Sequence, residues 1–251
     1  MAADPLAVAG SPETVVRLLE LFRSGSTFPA LAETGSGERF VLKLRATASG
    51  HRSLATEFLG NRIAARLGLR VPSVRPIYIP ADLPWEIGTD EFHDTLRRSA
   101  GWNLGVAYID GARPITDFAT ERVSLDFLAR LAQVDDLLQN VDRTAKNPNL
   151  LVADADVWAI DFGGCLFLQR IIDSRQPYNF GLPGRHLLAG RGDCEAPRIA
   201  VVPQALGMLV REMPPHWIED AGATPAEIEC RIVDYADAYL RHLESSLTQQ
   251  R

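Results

Sequence analysis

The sequence predicts an α+β protein with two lobes, the first rich in strands and the second rich in helices. Segments with the apolar alternation of β-strands lie mainly before residue 115, whereas the strongest amphipathic helical pattern begins at residue 124. Between them, residues 101–115 are partly extended and interrupted by glycines, which favours a hinge. We therefore predict an N-terminal lobe over residues 1–108 and a C-terminal lobe over residues 109–251, with a cleft between them.

Composition is typical of a globular protein from a reducing compartment. The 251 residues are enough for a large core, and the net charge of −6 argues against direct nucleic-acid binding. No apolar run is long enough to span a membrane, and the first residues lack the basic region of a secretion signal. The three cysteines are widely separated, so a zinc site is not expected. Their small, odd number indicates a reducing cytoplasm.

The first segments of the N-terminal lobe include two predicted strands that form a hairpin. Residues 14–22 have an apolar spacing that fits either a helix or a strand. Residues 30–34 and 35–44 predict two strands joined by a Gly-Ser-Gly hairpin turn. Because the second strand partly alternates apolar and polar residues, the side chain of Lys43 should project from one face of it.

A helix and a further strand are predicted next. Residues 53–68 place their apolar side chains near one face, with Ser53 as a cap and Gly68 as the end of the helix. Glu57 lies one turn into that helix. Prolines then limit a strand over residues 71–80.

The remaining segments are mostly helical. Residues 81–100 predict a loop and a polar helix, and residues 124–139 predict an amphipathic helix. The inward residues of the latter are Phe127, Leu128, Leu131, Val134 and Leu138. Two short apolar strands, residues 150–152 and 157–160, flank an A-D-A-D turn. From residue 200 the pattern is helical, apart from a proline-rich break at M-P-P-H-W.

The chain carries nearly all its positive charge as arginine, which makes its two lysines informative. Of 26 basic residues only Lys43 and Lys146 are lysine, and Lys146 lies in V-D-R-T-A-K-N-P-N-L, a stretch rich in Asp and Asn. In this stretch Asp142 and Asn147 have D-x-x-x-x-N spacing, and Asp161 follows in D-F-G after the two short strands. The hairpin between them should bring Asp161 back beside Asn147.

These residue types suit phosphoryl transfer, which depends on positioning and on neutralising negative charge. A lysine ammonium suits a point contact with phosphate, and Glu57 on the following helix could hold Lys43. Asp142 could face an acceptor hydroxyl group. Asn147 and Asp161 carry the oxygen atoms that Mg²⁺ prefers.

The D-x-x-x-x-N and D-F-G pair has the spacing found in protein kinases, although no H-R-D triplet precedes it. The loop is more similar to the N-x-D-R-x-x-K-N pattern of HipA-like kinases. It matches that pattern at Asn140, Asp142, Arg143, Lys146 and Asn147. V-L-K-L, T-E-F-L-G-N-R, G-W-N-L-G-V-A-Y-I-D-G and V-W-A-I-D-F-G-G also resemble the family. The chain is therefore identified as a HipA-like kinase, of a short form without the additional N-terminal subdomain.

The resemblance implies a bilobal protein-kinase-like fold that uses ATP and Mg²⁺. It assigns Lys43, supported by Glu57, to the nucleotide phosphates. It makes Asp142 the catalytic base and assigns Asn147 and Asp161 to the metal. Kinase activity toward a serine or threonine hydroxyl is the activity that the family suggests.

The resemblance also bears on the beginning of the chain. It makes residues 14–22 a strand. It places the loop that covers the phosphates between the first two strands, at Ser24, Gly25, Ser26 and Thr27. Self-phosphorylation of that loop and an antitoxin-like protein partner are further possibilities by family analogy.

Several roles stay open at this point. Lys146 could contact the γ-phosphate or the acceptor, or could be an ordinary loop lysine. Asn149 could bind the metal in place of Asn147, and Arg143 could pair with a carboxylate in the cleft or anchor the loop. Because G-x-G-x-x-G and A-P-E are absent, the acceptor could be a protein, a small molecule or a lipid. A nucleotide-binding pseudokinase is the non-enzymatic alternative.

Overall fold

The N-terminal part of the protein is built on a five-stranded antiparallel sheet. The computed structural model describes residues 13–22, 29–47, 50–84, 87–116, 118, 123–173, 178–189, 199–219 and 222–249. The strands are β1 (Val15–Leu21), β2 (Ala30–Thr34), β3 (Arg39–Lys43), β4 (Val74–Ile79) and β5 (Gly101–Ala107), in the order β1-β2-β3-β5-β4. The ambiguous first segment is thus a strand, as the resemblance implied. The segment predicted as a hinge begins with β5, which is hydrogen-bonded on both sides.

The hairpin between β2 and β3 explains how Lys43 is presented. Gly37 has a φ of 84° in the turn, a conformation that glycine adopts without a steric cost. Along β3 the side chains of Phe40 and Leu42 are buried beneath the sheet, whereas that of Lys43 is 22% exposed. The period-two alternation of a strand therefore points Lys43 away from the apolar face.

Two helices accompany this sheet, α1 (Gly50–Arg66) and α2 (Asp90–Arg98). The expected cap at Ser53 is wrong, because α1 begins at Gly50, one turn earlier, where a φ of 60° turns the chain into the helix. The predicted end is confirmed. Gly68 has a φ of 79°, and the Leu69 amide donates to the Ala64 carbonyl to close the last turn.

The C-terminal part is mainly helical and contains a small second sheet. This sheet consists of β6 (Arg113–Pro114), β7 (Leu150–Ala153) and β8 (Asp156–Ala159). The helices are α3 (Leu125–Leu138), α4 (Phe167–Ile172), α5 (Pro203–Gly207) and α6 (Pro225–Gln249). Two 3₁₀ turns, Met208–Glu212 and Pro215–Trp217, lie between α5 and α6. The chain passes from one sheet to the other between β5 and β6. The lobe boundary between residues 108 and 109 stays a prediction.

Helix α3 delivers the chain to the Asp- and Asn-rich loop. Ser124 caps its first turn by accepting a hydrogen bond from the Phe127 amide at 3.3 Å. Leu128, Leu131, Val134 and Leu138 are buried as predicted, and Phe127 is partly buried. Gln139 ends the helix in the left-handed conformation, with a φ of 52°, so that the chain turns sharply into the loop.

The apolar core is divided between two clusters. One lies under the five-stranded sheet and includes Phe40, Ile77 and Phe92. The other includes the buried residues of α1, among them Phe58, and extends through the helical C-terminal part as far as Tyr239 of α6. Helix α1 therefore shares a cluster with the second half of the chain and with Val74, Leu104 and Val106 of β4 and β5. Within the described ranges, none of the helices has the length and apolar character of a membrane span.

Candidate active site

Lys43 lies between two carboxylates that come from distant parts of the sequence. Its Nζ atom is 3.0 Å from Glu57 Oε2 and 2.8 Å from Asp161 Oδ1. Lys43 is the last residue of β3, Glu57 lies in α1, and Asp161 follows β8. The structure thus brings together Lys43 and Glu57, which the sequence paired, and Asp161, which the sequence assigned to the metal.

The charges of this group influence one another strongly. Burial raises the pKa of Glu57 to about 7, although the neighbouring Lys43 ammonium opposes this shift. Burial alone would lower the pKa of Lys43, but Glu57 and Asp161 outweigh it and raise that pKa above its ordinary value. The Lys43 charge holds the pKa of Asp161 below its ordinary value. Asp161 is therefore the carboxylate that stays ionised most readily, and its side chain is 45% exposed.

Asp142 is held by two amides of its own loop. Its Oδ2 atom accepts hydrogen bonds from Asn147 Nδ2 at 3.0 Å and from Asn149 Nδ2 at 3.3 Å. A tight turn closes the loop, because Thr144 and Asn147 exchange backbone hydrogen bonds of 3.0 and 3.1 Å. Asp142 is itself exposed. Its carboxylate is therefore both oriented and open to an acceptor.

The two glycines after D-F connect this loop to the lysine cluster. A Cβ atom on Gly164 would lie 2.6 Å from the Asp142 Cβ, and one on Gly163 would lie 3.2 Å from Glu57 Oε2 and 3.6 Å from Asp161 Oδ1. Consecutive residues thus contact the two halves of the site. Asp142 and Asp161 border the same small region, as the D-x-x-x-x-N and D-F-G spacing predicted.

A buried carboxylate that the sequence analysis missed supports the loop from below. Asp135, near the end of α3, accepts hydrogen bonds from Arg143 Nε at 2.6 Å, Asn140 Nδ2 at 2.9 Å and His186 Nε2 at 3.0 Å. Burial alone would raise the pKa of Asp135, but the Arg143 charge and these hydrogen bonds hold it below its ordinary value. Asn140 in turn accepts a hydrogen bond from the Asp142 amide at 3.2 Å.

Arg143 is fully buried and anchors the loop. Its Nη1 atom donates to the carbonyl groups of Pro148, Asn149 and Ile160 at 3.1, 2.6 and 3.3 Å. Its guanidinium lies over the Phe162 ring, 5.2 Å from the centroid. Of the two roles considered for Arg143, the structure therefore shows the anchor. The arginine joins the Asp142 loop to the residues on both sides of Asp161.

Comparisons with known proteins agree with this arrangement of the site. The family model described as HipA-like kinase matches residues 15–167. The chain belongs to the HipA-like kinase family. A comparison with curated proteins gives no match. Among solved structures, a Helicobacter pylori proinflammatory kinase, CtkA, has a TM-score of 0.54 and 13% sequence identity over 93% of this chain and 99% of that one. The fold is that of a kinase.

In this HipA-like kinase, residues 178–189, which come after α4, pack against α3 and α6. The Gly181 amide donates to Asp136, and Gln139 donates to the Asn179 carbonyl. Phe180 packs edge-on against Tyr235, with ring centroids 5.2 Å apart. Residues 178–189 are thus fixed beside the Asp142 loop.

The structure does not test two predicted features of the kinase site. The loop proposed to cover the phosphates, at Ser24, Gly25, Ser26 and Thr27, lies outside the described residues. Lys146 is exposed and makes no hydrogen bond or ion pair in the described part of the chain. Its role in the kinase therefore stays a prediction.

The oxygen atoms near Asp142 fit a magnesium ion. Asn147 donates from its Nδ2 atom to Asp142 and is exposed, and Asp161 is partly exposed. Within the described ranges, no three His, Cys, Asp or Glu side chains form a metal-binding group. A site with one carboxylate and one amide oxygen suits Mg²⁺, which commonly takes its other ligands from water and phosphate.

Replacing Glu57 with Gln tests the electrostatics of the lysine cluster. Because folding raises the pKa of Glu57 to about 7, the folded protein holds a proton that the unfolded chain loses at lower pH. Burial of the ionised Glu57 carboxylate therefore lowers the unfolding free energy, only slightly near pH 4 and by more as the pH rises toward 7. We expect Glu57→Gln to gain roughly 1–3 kcal/mol in unfolding free energy relative to the wild type between pH 5 and pH 8.

Urea unfolding of both proteins at pH 5 and pH 8 measures this difference. Glu229→Gln is the control, since the Glu229 side chain is 20% exposed and the Arg211 hydrogen bond holds its pKa below its ordinary value. Its stability relative to the wild type should stay constant over this interval. A constant difference for Glu57→Gln as well would contradict the raised pKa.

Proposed function

We propose that this protein transfers the γ-phosphate of ATP to a hydroxyl acceptor in a magnesium-dependent reaction. The observation that supports this most directly is Lys43, held between Glu57 and Asp161 next to the Asp142 loop. The ammonium group of Lys43 would bind the nucleotide phosphates, and Glu57 would keep it in position. A serine or threonine hydroxyl is the acceptor that the family suggests.

Asp161 and Asn147 would hold the magnesium ion, which supplies positive charge against the phosphate oxygens when it is bound. Asp161 is suited to this role because the Lys43 charge keeps its pKa low, so that its carboxylate is ionised at neutral pH. Its φ of 60° is a conformation that Asp tolerates better than most residues. This conformation directs the side chain toward Lys43 instead of along the preceding strand.

Asp142 would accept the proton of the attacking hydroxyl group. The Asn147 and Asn149 amides bind one of its oxygen atoms, which fixes the carboxylate plane. The exposure of Asp142 leaves room for an acceptor to approach. Lys146, which is exposed in the same loop, would neutralise either the transferred phosphate or a charge on the acceptor.

Turnover of radiolabelled ATP tests the proposal. The wild type should release or transfer label in the presence of Mg²⁺ and lose that activity when the metal is chelated. Asp161→Asn should lower the rate by about 100-fold or more, because a neutral amide binds the metal weakly. ATP binding without any turnover, across candidate acceptors, would contradict the proposal and indicate a nucleotide-binding module.

A further inference from the structure

Helix α1 carries Glu57, and part of its support comes from the far end of the chain. Its buried apolar residues, among them Leu54, Phe58 and Ile63, share a cluster with Met213 and Trp217. The cluster under the five-stranded sheet includes none of the described α1 residues. Helix α1 therefore packs against the turns at residues 208–217 on one side, while Val74, Leu104 and Val106 of β4 and β5 belong to the same cluster.

The contacts with these turns follow one face of the helix. Phe58 packs edge-on against Trp217, with ring centroids 6.1 Å apart and an interplanar angle of 76°. One end of the same face places the ring of His51 at 5.5 Å from that of His216. The other end carries Arg62, which forms an ion pair with Glu212. Because these α1 residues are spaced by seven and four positions, they line a single stripe along the helix.

The D-F-G-G segment contacts α1 at neighbouring positions. A Cβ atom on Gly60 would lie 2.7 Å from the Phe162 Cβ, so the backbone of the helix touches Phe162 directly. Glu57 lies beside Gly163 on this side, and only 2% of its side chain is exposed. Helix α1 is thus enclosed between Phe162 and Trp217. A rotation or tilt of the helix would break contacts on both sides and withdraw Glu57 from Lys43.

We infer that Glu212 and Trp217 are positioning residues for phosphoryl transfer. They form a brace with His216, and this brace holds α1 so that Glu57 meets Lys43 before any ligand binds. The inference rests on the proposed role of Lys43 in binding phosphate. The brace residues belong to the C-terminal turns and act only through α1. Their contribution should appear as a lower kcat/KM for ATP when they are replaced.

Charge reversal at the exposed end of the brace provides the test. The side chains of Arg62 and Glu212 are 36% and 44% exposed, so their replacement should leave folding intact. Glu212→Arg and Arg62→Glu should each lower kcat/KM for ATP by about fivefold, the range expected for an exposed ion pair turned into a repulsion. Amide hydrogen exchange across residues 50–66 should become faster in both variants. The double variant, with the charges exchanged, should restore both values.

Glu229→Arg is the matched control. It removes the neighbouring ion pair of Arg211 with Glu229, 2.7 Å long, which joins the 3₁₀ turn to α6 and does not involve α1. The control should leave kcat/KM and exchange in residues 50–66 unchanged. A loss of stability alone would affect the control and the brace variants alike. Rescue in the double variant, without an effect in the control, therefore separates positioning from a general structural role.

Two results would overturn the inference. One is a kcat/KM for ATP in Glu212→Arg equal to that of Glu229→Arg, and the other is an effect that the double variant fails to restore. If the wild type shows no ATP turnover at all, the proposed function fails. Hydrogen exchange in α1 then still decides on the brace, because it needs no nucleotide.

Discussion

Asp142→Asn is expected to reduce phosphoryl transfer by about 100-fold to 10,000-fold, the usual contribution of a general base. The affinity for ATP should stay within about twofold of the wild type, since Asp142 contacts neither Lys43 nor Asp161 directly. Asparagine has the same shape, and its Oδ1 atom can still accept the hydrogen bonds from Asn147 and Asn149. The variant thus removes the base and leaves the loop in place.

Single-turnover transfer of label from saturating ATP measures the first effect, and equilibrium binding of ATP measures the second. Asp154→Asn is a suitable control, because Asp154 is an exposed turn residue with a φ of 53° that asparagine tolerates equally well. It should transfer label at the wild-type rate. Transfer by Asp142→Asn at that same rate would remove Asp142 from the mechanism.

Local patterns were sufficient to predict most secondary-structure elements. The β2–β3 hairpin and the β7–β8 hairpin follow from apolar strands flanking short turns, and these signals need no knowledge of the rest of the chain. The start of α1 was missed because Ser53 is a good cap by type. In the fold, the first turn instead begins at Gly50, whose positive φ starts the helix earlier. Tertiary context overrode the propensity there.

The candidate site was predictable as far as its residues form linear motifs. Glu57 was predicted to hold Lys43, and the two side chains form an ion pair; the contact of Lys43 with Asp161 was not predicted. The loop-anchoring role was one of two considered for Arg143, but its partners could not be predicted, since they are the distant Asp135 carboxylate and backbone carbonyl groups. His186 had no signal either, because its contact with Asp135 joins segments far apart in the chain.

Asp135 did have a signal that could have been used. It lies at helical spacing from Leu128, Leu131 and Leu138, on the apolar face of α3. A carboxylate on such a face is buried, and a buried carboxylate requires a partner of opposite charge or several hydrogen bonds. The neighbouring Asp136 hides this pattern in the sequence, because two adjacent acids resemble an exposed surface.

The loss of Asp135 should have the largest effect on stability. Asp135 and Arg143 are both fully buried, and their side chains form an ion pair with an Nε to Oδ2 distance of 2.6 Å. Removing one member of a buried pair leaves the other charge without a partner, which costs about 3–5 kcal/mol. We expect Asp135→Asn to lower the unfolding free energy by that amount in urea. The adjacent Asp136→Asn is the control, with a loss of about 1 kcal/mol, because Asp136 accepts hydrogen bonds from Gly181 and Tyr239 but pairs with no arginine among the described residues.

A second variant shows why the loss occurs. If an unpaired buried charge is the cause, Asp135→Asn combined with Arg143→Met should recover a large part of the stability, because it removes both charges. The double variant should still transfer phosphate poorly, because methionine cannot bind the carbonyl groups of Pro148, Asn149 and Ile160 that hold the Asp142 loop. Equal losses for Asp135→Asn and Asp136→Asn would mean that the ion pair contributes little. Stability would then depend on hydrogen bonding along the end of α3, and Arg143 would act on the loop alone.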